Sequence, residues 1–272
     1  MPEGHTIHRA ARDHAKALAG LEVRVSSPQG RFDPAGLAAH DGVTTLVRIE
    51  AYGKHLFYVF ARGHTVHVHL GLFGRFYRWK SPPPPPRAST RMRLQGDAIT
   101  IDLVGPTACA RVTAAQKRAI LARIGPDPLR ADALPEAFFD RVAQTRMPIG
   151  SALLDQSVVS GVGNVYRAEV LHLLGIHPST PSRALSRDTT LAMWALLVGL
   201  LRRGVEERRI VTTRGLHLEA PRERVARAES LHVYGRRTCR SCGSPVVRFT
   251  QRARTAFACE TCQPLRVPPS PA

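Results

Sequence analysis

The chain has 272 residues and carries 39 Lys+Arg against 21 Asp+Glu, a formal charge of +18, with 43% hydrophobic residues. That hydrophobic content excludes a wholly disordered chain, and the longest apolar run, Leu191 to Leu201, is far shorter than the roughly 20 residues a membrane-spanning helix needs. Five cysteines are too few for a disulfide scaffold, and the opening MPEGHTIHR has no apolar signal core, so a cytoplasmic protein with no membrane partner is expected. The cationic excess points to a polyanionic partner, nucleic acid before any other. Only Lys16, Lys54, Lys80 and Lys117 are lysines, the other basic residues being arginine, so each lysine kept is informative.

In chain order, Thr6 to Leu18 reads as a short helix. Residues 21 to about 112 then read as strands: TTLVRIEA, KHLFYVFA, HTVHVHL and GRFYRW alternate in polarity between glycine-bearing turns, the pattern of an antiparallel sandwich or barrel. Pro82 to Pro86 cannot join a sheet ladder and is expected to form an exposed polyproline loop. From Ala114 the pattern turns helical, with helices expected at 114–123, 135–143, 149–154, 164–174 and 187–208. The turn GPDPL (125–129) separates the two regimes. The expected fold is α+β and multidomain: an N-terminal β-sandwich over 1–124, a helical unit over 125–234, a cysteine-bearing β-hairpin over 235–265 and a disordered tail over 266–272.

The hairpin segment TCRSCGSPVVRFTQRARTAFACETCQ holds Cys239, Cys242, Cys259 and Cys262 as two C-x-x-C pairs. Each such turn offers two thiolates to one ion, so the four suit a tetrahedral zinc. Two β-like runs, VVRFT and TAFA, lie between the pairs and are joined by the polar turn QRAR. With all four positions filled by protein, one structural zinc is expected and no catalytic metal. Cys109 reads as a small core residue.

In DQSVVSGVGNVYRAEVLHLLG, Gly161 and Gly163 turn the chain, Asn164 stands where an N-cap would be, and Gly175 ends the helix. Such a helix start binds phosphate, and with the short helix before it the segment reads as a helix-turn-helix gripping a DNA backbone. At the N-terminus, removal of the methionine would free Pro2. A secondary amine titrating near 8 is partly neutral at physiological pH and can attack a sugar C1′ to form an iminium. Glu3 beside it can move a proton, and Lys54 can serve as a second acid or base. His67 and His69 share one strand face and can be read as a metal pair, but no third ligand follows nearby.

MPEGHTIHR, YGKHLF (52–57), HLGLFG (69–74), RIGPDPL (123–129), GVGNVYRAE (161–169) and the cysteine hairpin occur in that order. Together they resemble the Fpg/Nei family of DNA glycosylases, and within it the endonuclease VIII branch, over roughly residues 2 to 263. The resemblance implies that the N-terminal sandwich is catalytic and that residues 125–234 form a helix-two-turn-helix DNA-binding unit. It implies Pro2 as Schiff-base nucleophile, Glu3 as proton donor for base loss and ring opening, and Lys54 as a phosphate contact used in β-elimination. Arg254, five residues before Cys259, would be the hairpin arginine linked to δ-elimination. Asn164, Arg123 and His69 would contact DNA, and Leu72 and Phe73 would fill the gap left by a flipped base. The implied partner is damaged double-stranded DNA, with single-stranded or bubble DNA also open, bound by a monomer; no organic cofactor is implied.

Two departures bear on the substrate. Thr6 stands where family members often carry glutamate, and Gly71 replaces a glutamine that precedes the Leu-Tyr pair of endonuclease VIII. The segment GPTACAR (105–111) lacks the Arg-and-Phe pair of the 8-oxoguanine branch, which favours oxidised pyrimidines. Two other classes fit the composition. A non-catalytic zinc-finger sensor of damaged DNA would bind without cutting, and a basic RNA-binding protein would not prefer damaged duplex.

Overall fold

A computed structural model describes residues 2–34, 36–37, 42–213 and 225–265; the tail expected over 266–272 lies outside them. The chain divides into two compact units, Met1–Arg123 and Ile124–Ala272.

The first unit opens with α1 (Gly4–Leu18), two residues ahead of the expected start. Ile7, Ala10, Ala11, His14 and Leu18 recur every three or four residues and are buried, so one stripe faces the sheet. Burying Ile7 and Leu18 contributes about 1.5–3 kcal/mol apiece. His14 Nδ1 lies 2.7 Å from the Tyr58 hydroxyl, which registers the helix on the strands. Those strands are β1 (Glu22–Ser26), β2 (Val43–Tyr52), β3 (His55–Phe60), β4 (Thr65–His69), β5 (Arg75–Lys80), β6 (Thr90–Gln95), β7 (Ile99–Val104) and β8 (Ala108–Val112). They form one antiparallel array in the order β5-β7-β6-β1-β2-β3-β4-β8. Inward side chains from both ends, Leu94, Ile101 and Leu103 as well as Leu56, Tyr58 and Val68, share a single core, which makes the array the expected sandwich. A final helix, α2 (Ala114–Ala122), begins with a capping box in which Thr113 and Gln116 exchange hydrogen bonds.

The five prolines have a structural task. β5 and β6 both run antiparallel to β7, which lies between them, so they are parallel to each other. A parallel crossover ordinarily takes a dozen residues or more and a helix. Here residues 81–89 suffice, because each proline followed by another is confined to extended backbone. Five residues at a polyproline rise span roughly 16 Å, close to the length of β7. Beneath the strap, Arg93 grips Asp102 through two hydrogen bonds of 2.7 and 2.8 Å and donates a third, 3.0 Å, to the Pro84 carbonyl. Trp79 Nε1 donates to the same carboxylate at 2.9 Å, and the Arg87 guanidinium lies 4.3 Å from the Tyr77 ring centre. The loop expected between strands is therefore an ordered strap.

In the second unit, α3 (Pro135–Gln144), α4 (Ile149–Ala152), α5 (Asn164–Leu173) and α6 (Arg187–Glu207) match the expected helices to within two residues. Trp194, Leu197 and Leu201 of α6 pack with Phe138 and Val142 of α3 and Val170 and Leu171 of α5. Proline opens α3, the Ser186 side chain caps α6, and α5 ends in a Schellman motif on Gly175 (φ +65°): Gly175 N–H donates to His172 O and Ile176 N–H to Leu171 O. A separate two-stranded sheet, β9 (Val247–Gln251) with β10 (Arg254–Ala258), completes the unit.

Arg93→Met leaves the buried Asp102 carboxylate without its ion partner and should cost about 3–5 kcal/mol. Urea unfolding followed at the tryptophans checks this; a loss under 1 kcal/mol would mean water or other groups already carry that charge.

Candidate nucleic-acid site

Each unit carries its own share of the residues singled out in the sequence. In the first, Pro2 is half-buried and Glu3 is wholly buried at the N-cap of α1, where its backbone carbonyl accepts from Thr6 N–H. The Glu3 side chain makes no capping hydrogen bond, although a carboxylate at that end of a helix meets the positive end of the dipole. Thr6 Oγ1 lies 3.2 Å from His5 Nε2, so the residue standing in for glutamate joins the same polar end of the helix.

Lys54 is the second residue of a two-residue turn closed by the pair Tyr52↔His55. Gly53 before it has φ +56°, the first-position requirement of a type II′ hairpin turn. His69 stands directly opposite His55 on β4, and His67 opposite Phe57. His55, part of YGKHLF but given no role in the sequence reading, is thus the third histidine of this face. Its Nδ1 lies 2.9 Å from His67 Nε2, with the two rings stacked at 5.1 Å. Burial, helped by the neighbouring histidines, Arg123 and Lys54, lowers His55 to about 3; burial and His69 bring His67 to about 4; burial and Lys54 lower His69 as well. The three do not form a metal cluster: among the described residues only the four cysteines bring three or more metal-binding groups together. The signal that could have found His55 is the period of two, which sets 55, 67 and 69 on one face once β3 and β4 pair.

Leu72 and Phe73 occupy the turn after β4, 52% and 80% exposed, so neither is a core residue. Gly71 has φ +63°, and a Cβ there would fall 1.8 Å from Thr107 Oγ1, so the turn depends on glycine twice over. Arg123 is the C-cap residue of α2, where a cation complements the helix dipole.

In the second unit, α5 is a spine for the hairpin. Gly163, not Asn164, is its N-cap. Asn164 is the first helical residue, and its side chain faces β10: Nδ2 donates to Thr255 O at 3.0 Å, and Oδ1 accepts from the buried Arg167. Arg167 also donates to Thr255 O at 2.8 Å. One turn on, wholly buried Glu169 accepts from the backbone N–H groups of His232, Val233 and Tyr234 at 2.7–2.9 Å and from the Thr212 hydroxyl. Arg167 and Glu169 were quoted as part of GVGNVYRAE without a role; their burial separates them from surface charges.

The hairpin turn is Arg252-Ala253, shorter than the expected QRAR, with φ of +49° and +55°. A type I′ turn usually recruits Asn-Gly; other residues there cost about 1–2 kcal/mol each. Arg252 is tied down by a 2.8 Å hydrogen bond to Asp155. Burial pushes the Asp155 carboxyl up, but hydrogen bonds from Ser157 and Arg252 outweigh it and hold the group below its ordinary value. Gln156 laces the glycine turn, accepting from Gly161 N–H and donating to the Leu154 and Val162 carbonyls. The three hairpin arginines now differ. Arg248 faces the hairpin body, over the Phe257 ring and donating to Arg236 O, and Arg252 belongs to Asp155. Arg254 lines a small cavity of about 260 Å³ with Leu154, Asp155, Gln156 and Arg252.

The sulfurs of Cys239, Cys242, Cys259 and Cys262 all lie within 4.8 Å of one another, with 3.9 Å between Cys239 and Cys262 and 3.5 Å between Cys242 and Cys259. Zinc–sulfur bonds of 2.3 Å in a tetrahedron put sulfurs about 3.8 Å apart, so the four fit zinc as they stand. None is in a disulfide. His172 and His232 both meet the Ser241 hydroxyl between the first two cysteines, at 2.9 and 3.0 Å, which fixes that knuckle to α5.

Comparison with known proteins agrees with this layout. Residues 1–112 match the Formamidopyrimidine-DNA glycosylase N-terminal domain, and residues 124–214 the Formamidopyrimidine-DNA glycosylase H2TH domain. The chain is 41% identical over 269 residues to Endonuclease 8 1 of Mycobacterium tuberculosis, covering 97% of this chain and 100% of that one. It is 31% identical over 282 residues to the Formamidopyrimidine-DNA glycosylase of Gloeobacter violaceus, covering 97% and 96%. Its fold is similar to that of the Lactococcus lactis Fpg in complex with DNA containing an abasic site (TM-score 0.78, 19% identity, 96% of this chain and 99% of that one). It is also similar to MutM in complex with DNA containing carbocyclic 8-oxo-G (TM-score 0.79, 19% identity, 97% and 100%).

Two outcomes are expected. His5, His14, His55 and His67 are held at about 3 to 4, chiefly by burial, against an ordinary 6.5. Below about 6.5 the unfolded chain binds protons that the folded unit refuses, so stability is complete above that pH and declines as pH falls towards about 3. Thermal unfolding from pH 7.5 to 4 checks the slope; a flat profile would mean these imidazoles are accessible. Separately, Cys259→Ser should abolish metal uptake and open the β9–β10 hairpin to proteolysis, because a three-thiolate site no longer closes the fold. Metal content and cleavage mapping read both, and full metal content in the variant would contradict a four-thiolate site.

Proposed function

The chain belongs to the Fpg/Nei family of base-excision-repair DNA glycosylases, and from that membership we propose that it removes oxidised bases, mainly pyrimidines, and cuts the strand at the resulting abasic site. Phosphates of damaged duplex DNA engage polar and basic residues of both units, Lys54 and Arg123 of the first and Asn164 and Arg254 of the second among them. The lesion leaves the stack, at a cost lower for a damaged base, and exposed Leu72 and Phe73 fill its place.

Chemistry follows from the N-terminus. With methionine removed, the Pro2 amine sits at the positive end of α1, which favours its neutral, nucleophilic form. It attacks C1′ while Glu3 moves protons to the leaving base and the opening sugar ring. The resulting iminium draws electrons from C2′–H, so loss of that proton expels the 3′ phosphate (β-elimination); a second elimination expels the 5′ phosphate. Lys54 steadies phosphate in the first step and Arg254 in the second. One zinc ion, held by Cys239, Cys242, Cys259 and Cys262, supplies hairpin stability and takes no part in the reaction.

One observation carries the reading: a wholly buried glutamate stands at the start of α1 directly beside a half-buried proline. A carboxyl group held away from bulk water next to a nucleophilic amine is suited to proton transfer. The oxidised-pyrimidine preference is supported by the segment GPTACAR (105–111), which lacks the Arg-and-Phe pair of the 8-oxoguanine branch, and by the likeness to the relative named Endonuclease 8 1.

The methionine-processed protein, treated with borohydride on a duplex holding one abasic site, should form a covalent adduct mapping to Pro2. Pro2→Ala should lose at least about 100-fold in strand cleavage, within the range for removing a covalent or acid–base catalyst, while keeping DNA affinity. Binding without any adduct from the wild type would favour a damage sensor instead.

A further inference from the structure

We infer that His67 is a positioning residue for Lys54, acting through His55. This rests on the proposed role of Lys54 in elimination and adds a residue to it. A two-residue hairpin turn holds its tip only as firmly as its two flanks are held. Tyr52, the first flank, donates to Glu50 Oε2 at 3.3 Å and lies under the Lys117 ammonium, 5.8 Å from the ring centre. Lys117 pairs with Glu50 at 2.5 Å, which secures that side from α2. His55, the second flank, is held by the 2.9 Å bond to His67. His67 is itself clamped, its other neighbour being the Phe57 ring at 4.9 Å and 26°.

The contact is more than ring packing. An imidazole–imidazole bond of 2.9 Å survives only while one of the two facing nitrogens lacks a proton. The charged and titratable groups around the pair disfavour adding one: His69 across the ladder, Lys54 in the turn and Arg123 at the end of α2. Glu50, Lys117 and Tyr52 lie on the Phe57 side, and β8 opposes His67 and His69 with Ala110 and Ala108, which carry no charge. The pair therefore stays neutral where a proton would weaken the bond and place a second cation beside Lys54.

His67→Phe keeps a ring against Phe57 but deletes the bond; His67→Gln restores a hydrogen-bonding group without the ring. In single-turnover cleavage of an abasic duplex, His67→Phe should be slower by about tenfold, the scale of a small misplacement of a reacting group. Its DNA affinity should stay within about twofold, since binding rests on many phosphate contacts. An acid limb should appear in its pH–rate profile at higher pH than in the wild type, as His55 loses one of the groups that oppose its protonation. His67→Gln should recover most of the rate and remove the limb. Wild-type rate and profile in His67→Phe would overturn the inference, and so would equal slowing of both variants tracking a lower melting temperature. NMR titration without DNA gives an independent arm: His55 and His67 should remain neutral at pH 6 in the wild type, and His55 should titrate higher in His67→Phe. A wild type that forms no borohydride adduct would overturn the parent reading and this one together, whereas an adduct with an unaffected variant overturns this one alone.

Discussion

A charged or strongly polar side chain taken out of water must find partners or it costs several kcal/mol, and each unit is pinned where that demand is met. In the first, Arg93 and Asp102 satisfy one another and hold the strap, while Glu50 and Lys117 bind α2 to the sheet. In the second, Glu169 and Arg167 on α5 collect backbone donors and acceptors from residues 60 to 90 positions away. Apolar burial gives each unit its bulk, and these few polar knots decide which segment lies against which.

Lys54, Leu72 and Phe73, proposed to act on DNA, are borne on turns, and Arg254 begins the strand that follows one. Gly53-Lys54, Gly71-Leu72-Phe73 and Arg252-Ala253 all need positive φ, and two of the three supply it with glycine. A short turn between paired strands lets a side chain project from a rigid base with little freedom of its own. Arg252-Ala253 meets the same need without glycine, and its ion pair with Asp155 offsets part of the strain.

Much of this was legible beforehand where the signal is local. The helices follow apolar periodicity and cap residues, and the cysteine spacing alone located the four-sulfur cluster. What was not legible depends on pairing. Asn164 looks like an N-cap because Asn is among the preferred residues at that position; only the arrival of β10 beside α5 gives its amide another partner. His55 gains meaning only from the register that sets it against His69 and His67. Arg248, Arg252 and Arg254 are alike in sequence and are told apart by Phe257, Asp155 and the small cavity. Pro82 to Pro86 announced an extended segment but not the distance it had to cover, because that distance is the length of a strand later in the chain.

That strap behaves as a tie-rod of fixed length. A helical crossover can absorb an insertion by adding part of a turn, and a glycine-rich one by sagging. A run of prolines can do neither, since each ring locks φ and each successor keeps the residue before it extended. Removing one proline would leave the rod short by about 3 Å, nearly one residue of strand rise, and the shortfall could be met only by unzipping the end of β5 or β6. The Arg93 hydrogen bond to the Pro84 carbonyl ties the rod to β6 at its middle proline. Point changes of side chain in this segment are therefore easier for the sheet to tolerate than any change in its count of residues.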